Sequence, residues 1–148
     1  IEKIFNLSKK AGCKIIYPED VTVGKNFNSS PEIKSLESIS KDELILDIGP
    51  KTIKTIENVI ENSNTVLWNG PAGYFENPDY AIGTFKIAKK IAEKNKDKKI
   101  YSVAGGGDTV ALLNNMGIVN NFNFVSTAGG AFLEYLEGKE LPGIKVLN

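Results

Sequence analysis

Ser102–Leu113 reads SVAGGGDTVALL. The residues leading into it, KIYSVAG (99–105), have the apolar and β-branched character of a buried strand. The chain then sheds its side chains at Gly105, Gly106 and Gly107, and takes up a carboxylate at Asp108 and a hydroxyl at Thr109. Asp108 suits the start of a helix and Gly117 suits its stop. A strand, a bare turn and a helix in direct succession form the unit from which parallel α/β sheets are built.

Working outward, the same succession recurs. TVLWN (65–69) is an apolar run that ends in Asn69-Gly70-Pro71-Ala72-Gly73, and NFVST (123–127) ends in Ala128-Gly129-Gly130, with a helix expected from about 129 to 136. LILDIG (44–49) is a further strand; Pro50 sits where a first helical turn accepts it, and Ile53, Ile56, Val59 and Ile60 share one face. Asn77-Pro78 opens a helix expected over 79–94, closed by the solvated run KNKDKK. Upstream, IEKIFNLSKKAG reads as a helix already under way and ended by Gly12, which predicts that this chain is part of a longer one. KIIYP (14–18) reads as a short buried strand, and the polar stretch 21–40 as a loop or hairpin excursion with weak strands. Gly138 fits the stop of the last helix, with Pro142 beyond it. The fold class is therefore α/β, one domain, with a mainly parallel sheet covered by helices on both faces.

Bulk properties narrow the function. The chain has 148 residues, 41% of them hydrophobic and 24% charged, with 18 basic against 18 acidic residues. That balance gives no field directed at nucleic acid or an anionic membrane surface. No apolar run reaches the roughly 20 residues of a membrane span. There is no histidine, so histidine triads and histidine metal sites are excluded, and the single Cys13 suits a reducing, cytoplasmic setting. The triplets Asn6-Leu7-Ser8 and Asn28-Ser29-Ser30 match a glycosylation sequon but arise readily by chance.

In a parallel sheet the three glycine turns open on one edge, beyond the carboxyl ends of the strands, where ligands of such sheets bind. Two of the turns run straight into helices, whose first N–H groups lack partners and whose dipole favours an anion. Phosphate fits that environment. Asp108 is read in two ways: as a helix cap, or as an oxygen ligand to Mg²⁺. Thr109 offers a hydroxyl to a phosphate oxygen. The G-x-x-x-x-G-K-[ST] loop is absent, and Val110 stands where the dinucleotide fingerprint needs its third glycine. From the residues alone the reading ends at a phosphate or nucleotide site on a sheet edge.

Six stretches in order carry a resemblance: YPEDVTVG (17–24), LDIGPKTI (46–53), TVLWNGPAGYFE (65–76), AGGGDT (104–109), STAGGA (126–131) and LEYLEGKELPG (133–143). Together they resemble the C-terminal, nucleotide-binding domain of phosphoglycerate kinase, across essentially the whole chain. The resemblance implies a Rossmann-like αβα layering and reversible phosphoryl transfer between 1,3-bisphosphoglycerate and MgADP, giving 3-phosphoglycerate and MgATP in glycolysis. It also implies a monomeric parent whose N-terminal phosphoglycerate domain, and the start of the nucleotide domain, have no counterpart here. By the same resemblance Asn69, Pro71, Gly73, Glu76, Gly105, Gly106, Gly107, Asp108 and Thr109 hold ATP or ADP, with Glu76 at the ribose and Asp108 linked to Mg²⁺. Gly107, Gly129 and Gly130 present backbone N–H groups to the transferring phosphoryl. Many members have glycine where this chain has Ala128, which narrows the backbone choices at that turn. Each role has a plainer counterpart: Glu76 as a solvated surface acid, Asn69 as a turn former, Trp68 and Phe75 as core, Glu137 and Lys139 as solvated charges. The alternative function is a non-catalytic nucleotide-binding α/β module, and a third reading treats the glycine loops as turns only.

Overall fold

A computed structural model describes Ile1–Leu147. Three strands, β4 (Thr65–Asn69), β5 (Tyr101–Gly105) and β6 (Phe124–Val125), form a parallel sheet in the order β4-β5-β6. Its register puts Asn69 opposite Gly105 and Ala104 opposite Val125, so the three strands finish at one level. Helices α2 (Pro50–Glu61), α3 (Ile82–Lys96) and α4 (Gly107–Asn115) accompany it. On α3 the buried positions Thr84, Ile87, Ala88, Ile91 and Ala92 recur at helical spacing and make a single stripe. They pack with Ile60 of α2, Trp68, Ala104, Leu112, Leu113 and Phe122 into the main core. Each fully buried Ile or Leu there contributes about 1.5–3 kcal/mol of burial. Trp68 stacks on Phe122 at 6.3 Å between centroids, and Phe75 packs at the margin of the same core.

The first half departs from the expected pattern. Residues 13–18 carry no strand, because nothing among the described residues pairs with them; Ile15 and Ile16 are only half-buried. The expected strand at 44–49 does form, as β3 (Leu44–Ile48), but it joins a second, antiparallel sheet. Its partner β1 (Asp20–Gly24) pairs on its other side with β2 (Glu32–Ser35), so the excursion 21–40 supplies real strands in the order β2-β1-β3. An apolar run specifies an extended segment and does not name its neighbour. The helix expected from 79 starts at Ile82 instead; Pro78–Tyr80 is one 3₁₀ turn, opened by Asn77 Oδ1 accepting from Asp79 N. Ahead of both sheets, α1 (Glu2–Ala11) ends as expected at a left-handed Gly12, φ 63°, and buries none of its residues. The C-terminal helices are α5 (Gly130–Leu136) and α6 (Pro142–Lys145).

Two polar groups tie α2 to its neighbours. The carboxylate of Asp20, at the start of β1, accepts from Lys51 N (3.0 Å), Thr52 N (2.8 Å) and Thr52 Oγ1 (2.8 Å), so a strand caps the first turn of α2. Lys94 of α3 is buried and its Nζ donates to the carbonyls of Ile60 (3.0 Å), Glu61 and Ser63 (3.3 Å), the orphan acceptors at the end of α2. Burial pushes the Asp20 carboxyl up, but the bonds from Lys51 N, Thr52 N and the Thr52 hydroxyl, with the Lys51 charge, outweigh it and hold it below the ordinary carboxylate value. A group lowered on folding stabilises fully above its unfolded pKa and loses that contribution as pH falls through its folded one.

Asp20→Ala leaves those donors without an acceptor, and the expected cost at neutral pH is about 1–3 kcal/mol. In urea titrations run as a pH series, the gap between variant and wild type narrows below the usual carboxylate range. A gap independent of pH would show that charge plays no part in the cap.

Candidate nucleotide site

The three glycine turns meet. Asn69, Gly105 and Val125 end adjacent parallel strands. Asn69 Oδ1 lies over the second turn: a Cβ placed on Gly105 or Gly106 would come within 3.2 or 3.1 Å of it. Phe132 of α5 covers the same backbone, its ring 2.9 Å from a Cβ built on Gly105. The ends of β4 and β5 thus meet at the carboxyl edge of the parallel sheet, with Phe132 of α5 against Gly105.

The turns differ in what they offer. Gly106 stands at φ 88°, ψ 137°, a conformation that an L side chain resists, and caps α4. Val110 N returns to Gly106 O at 3.0 Å, while the amides of Gly107, Asp108 and Thr109 have no acceptor among the described residues. Gly129, φ 56°, opens α5 in a comparable way, and the amides of Gly129 and Gly130 are likewise without an acceptor among the described residues. These are fixed donors at positive helix ends, suited to an anion.

The loop 70–74 is the reverse. Gly70 N donates to Thr109 Oγ1 (2.8 Å), Ala72 N and Gly73 N both donate to Thr84 Oγ1 (3.0 and 3.2 Å), and Tyr74 N donates to Leu46 O (2.7 Å). Pro71 has no N–H. Every amide of this loop is therefore engaged internally, and it presents side chains and carbonyls instead. Gly73 is required by close approach: a Cβ there would fall 2.5 Å from Asp47 Oδ1 and 2.6 Å from the Tyr80 carbonyl oxygen.

Asp108 is the second residue of α4 and not its cap; the cap is Gly106, so the capping role expected for its side chain is not the one it has. Its carboxylate is exposed and makes no hydrogen bond or ion pair among the described residues. Thr109, by contrast, is fully buried and its hydroxyl holds the 69–73 loop. Glu76 is exposed at the loop's far end, and Asn69 is exposed at the strand's. Glu137 and Lys139 pair with each other at 2.7 Å on the surface, away from the turns.

Beside the loop is a mainly apolar cavity of about 450 Å³ whose walls include Phe27, Ile45, Leu46, Pro71, Ala72 and Tyr74. The 25–31 excursion forms one wall. Tyr80, fully buried, donates its hydroxyl to Ser29 O (2.7 Å), Asn77 Nδ2 donates to Phe27 O (2.7 Å), and the Phe27 and Tyr74 rings meet at 4.8 Å. A larger hollow of about 530 Å³, lined by Ile82, Phe85, Lys86, Lys89 and Met116, adjoins none of the glycine turns and none of the motifs. Asp47 lies under the loop, buried, accepting from Gly83 N and Ile48 N at 2.8 Å each. Burial pushes its carboxyl above the ordinary value, against the pull of those two bonds. Its linkage has the opposite sign to that of Asp20: any stability it adds is present at low pH and is lost as pH rises through the folded pKa. Asp47, Thr84, Phe27 and Tyr80 carried no sequence signal of a site role, because each acts through a partner 10 or more residues away.

Free backbone amides at two helix starts and the unpaired carboxylate of Asp108 follow the ends of the parallel strands of an α/β fold, and the apolar cavity lies between the 71–74 loop and the antiparallel sheet. Comparison with known proteins narrows this. The phosphoglycerate kinase family model matches residues 1–139. The phosphoglycerate kinase of Zymomonas mobilis is 48% identical over 150 residues, covering 100% of this chain and 38% of its own length. That of Allorhizobium ampelinum is 48% identical over 143 residues, with 95% and 36% covered. The solved phosphoglycerate kinase of Coxiella burnetii superposes with a TM-score of 0.89 at 35% identity, over 99% of this chain and 38% of that one. The Pyrococcus horikoshii structure gives a TM-score of 0.79 at 29% identity, over 99% and 35%. The chain belongs to the phosphoglycerate kinase family, and it spans a little over a third of the length of the curated relatives it matches.

Gly73→Ala forces a methyl group against Asp47 and the Tyr80 carbonyl, and the expected loss is about 1–3 kcal/mol. Chemical denaturation of the purified chain measures it. An unchanged midpoint would mean that the loop has room to move.

Proposed function

We propose that this chain supplies the phosphate-binding part of the nucleotide site in a phosphoglycerate kinase, which transfers a phosphoryl group reversibly between 1,3-bisphosphoglycerate and MgADP to give 3-phosphoglycerate and MgATP. One observation supports the reading: the amides at Gly107–Thr109 and Gly129–Gly130 have no acceptor among the described residues, and Asn69 Oδ1 lies close to Gly105 and Gly106 at the start of the first group. The family membership supports it.

In this reading the helix-start amides of Gly107, Gly129 and Gly130 hold the charge that spreads over the equatorial oxygens of the phosphoryl group in flight. Their value lies in being fixed beforehand, since no dipole has to reorient as the charge moves. Gly105 and Gly106 let the phosphate chain approach the backbone. Pro71, Gly73 and Asn69 form the wall of the site, and Glu76 accepts from the ribose hydroxyls. The apolar cavity between Tyr74 and Leu46 takes the base. Thr109 acts through the loop that its hydroxyl holds. Asp108 suits Mg²⁺: a hard cation of this kind takes one or two carboxylates and completes its shell with phosphate oxygens and water, and Asp108 is exposed with no competing bond. Bound there, the cation would neutralise phosphate charge. Among the described residues no cluster of acids, cysteines or histidines forms a cage for a metal without the nucleotide.

The acceptor carboxylate of 3-phosphoglycerate is already a nucleophile, so no general base is needed, and catalysis is positioning plus charge stabilisation. The phosphoglycerate side of the reaction belongs to a further domain, so the 148 residues alone are expected to turn over no 3-phosphoglycerate. The cytoplasm is the compartment proposed, and the parent enzyme is proposed to act as a monomer. No helix among the described residues is long and apolar enough to cross a membrane.

Titration of the chain with MgADP is expected to move the amide resonances of Gly106, Asp108 and Gly130. Silence at all three would remove the site. Asp108→Asn is expected to weaken MgADP binding by about tenfold or more while leaving metal-free ADP little changed. Joining the chain to the upstream part of a close relative and assaying 3-phosphoglycerate separates the kinase from a non-catalytic nucleotide module.

A further inference from the structure

The 70–74 loop is made rigid by a residue that no motif contains. Thr84 is the third residue of α3, fully buried, and its Oγ1 accepts from two consecutive amides of the loop, Ala72 N at 3.0 Å and Gly73 N at 3.2 Å. We infer that Thr84 is a positioning residue for the nucleotide: it fixes the wall formed by Pro71–Tyr74, and so helps set the affinity of the proposed site without touching the ligand. The inference rests on the function proposed above and adds a residue to it.

Three features carry it. First, the acceptor is immobile. Threonine is branched at Cβ, which restricts the direction of its hydroxyl, and α3 is anchored by Gly83 N on Asp47 Oδ2 at 2.8 Å and by the buried Ile87, Ala88 and Ile91. Second, the two amides have no other acceptor among the described residues, and both lie in a half-buried segment where an unmet donor is costly. Third, the clamp decides which face the loop shows. With Ala72 and Gly73 turned toward Thr84, Tyr74 N reaches Leu46 O, and Pro71, Ala72 and Tyr74 line the apolar cavity. A loop with those amides released would turn donors outward, a surface suited to phosphate and not to an apolar base. The clamp therefore keeps phosphate recognition on α4 and α5 and base recognition on the loop.

The experiment compares Thr84→Val, Thr84→Ser and Thr84→Ala with wild type in the 148-residue chain. Read-outs are the MgADP dissociation constant, the thermal midpoint, and hydrogen exchange at Ala72 and Gly73. Valine keeps the shape and removes the acceptor; its expected effect is about a tenfold rise in Kd, with faster exchange at those two amides. Serine keeps the acceptor and restores both. Alanine against serine compares small side chains with and without the hydroxyl, and that pair decides the matter if the valine variant does not fold. Equal Kd values for serine and alanine, or exchange at Ala72 and Gly73 in wild type as fast as in free loops, would overturn the inference. A wild-type chain that does not bind MgADP at all would instead overturn the proposed function, and the exchange data would still report on the clamp.

Discussion

The ladder between β4 and β5 is the constraint on which the site depends. Parallel pairing with Asn69 opposite Gly105 brings two glycine turns to the same height, and β6 brings the third. A shift of one residue would turn every side chain to the other face and carry Asn69 away from Gly105 and Gly106. The register is secured by what one face buries, since Leu67, Tyr101 and Phe124 on the other are largely exposed. Trp68, Ala104, Leu112, Leu113 and Phe122 fill one continuous core, and Ser102 N finds Asn123 Oδ1 at 2.7 Å across the edge.

Above this edge, free and engaged backbone donors are sorted by location. Where the chain enters a helix directly, at Gly107 and Gly130, the first amides are left without acceptors because a helix cannot supply them. In the 70–74 loop, by contrast, groups from elsewhere take up every amide: the hydroxyls of Thr109 and Thr84 and the Leu46 carbonyl. The chain thus keeps an anion-attracting part and a neutral, apolar part separate, and a nucleotide has the same division between its phosphates and its base. The second sheet serves the neutral part. It carries Leu46 and Asp47 beneath the loop, and Asp20 and Lys94 hold α2 between β1 and α3.

Much of this was legible in the residues. The strands ending at Asn69 and Gly105, a third strand within 123–127 (of which only Phe124–Val125 forms), the helix starts behind two of them, and the helices ended by Gly12 and Gly117 follow from local patterns that depend only on near neighbours. The misplaced pieces are those whose state depends on a partner. KIIYP (14–18) has the composition of a strand and no neighbour to pair with among the described residues, and LILDI pairs antiparallel with the stretch read as a loop or hairpin excursion with weak strands. Asp108 has the character of a cap, but Gly106 caps the helix because its positive φ lets the chain turn two residues earlier.

The sequence by itself determined the α/β class, the family, and the glycines that bare the backbone, because backbone freedom and helix-end polarity are properties of a few adjacent residues. Tertiary structure alone decided which amides stay free. Whether Gly73 N meets a phosphate or the hydroxyl of Thr84, 11 residues on, depends on where α3 lands against the loop. That docking is set by packing in the core and by the buried Asp47, neither of which can be read from a motif.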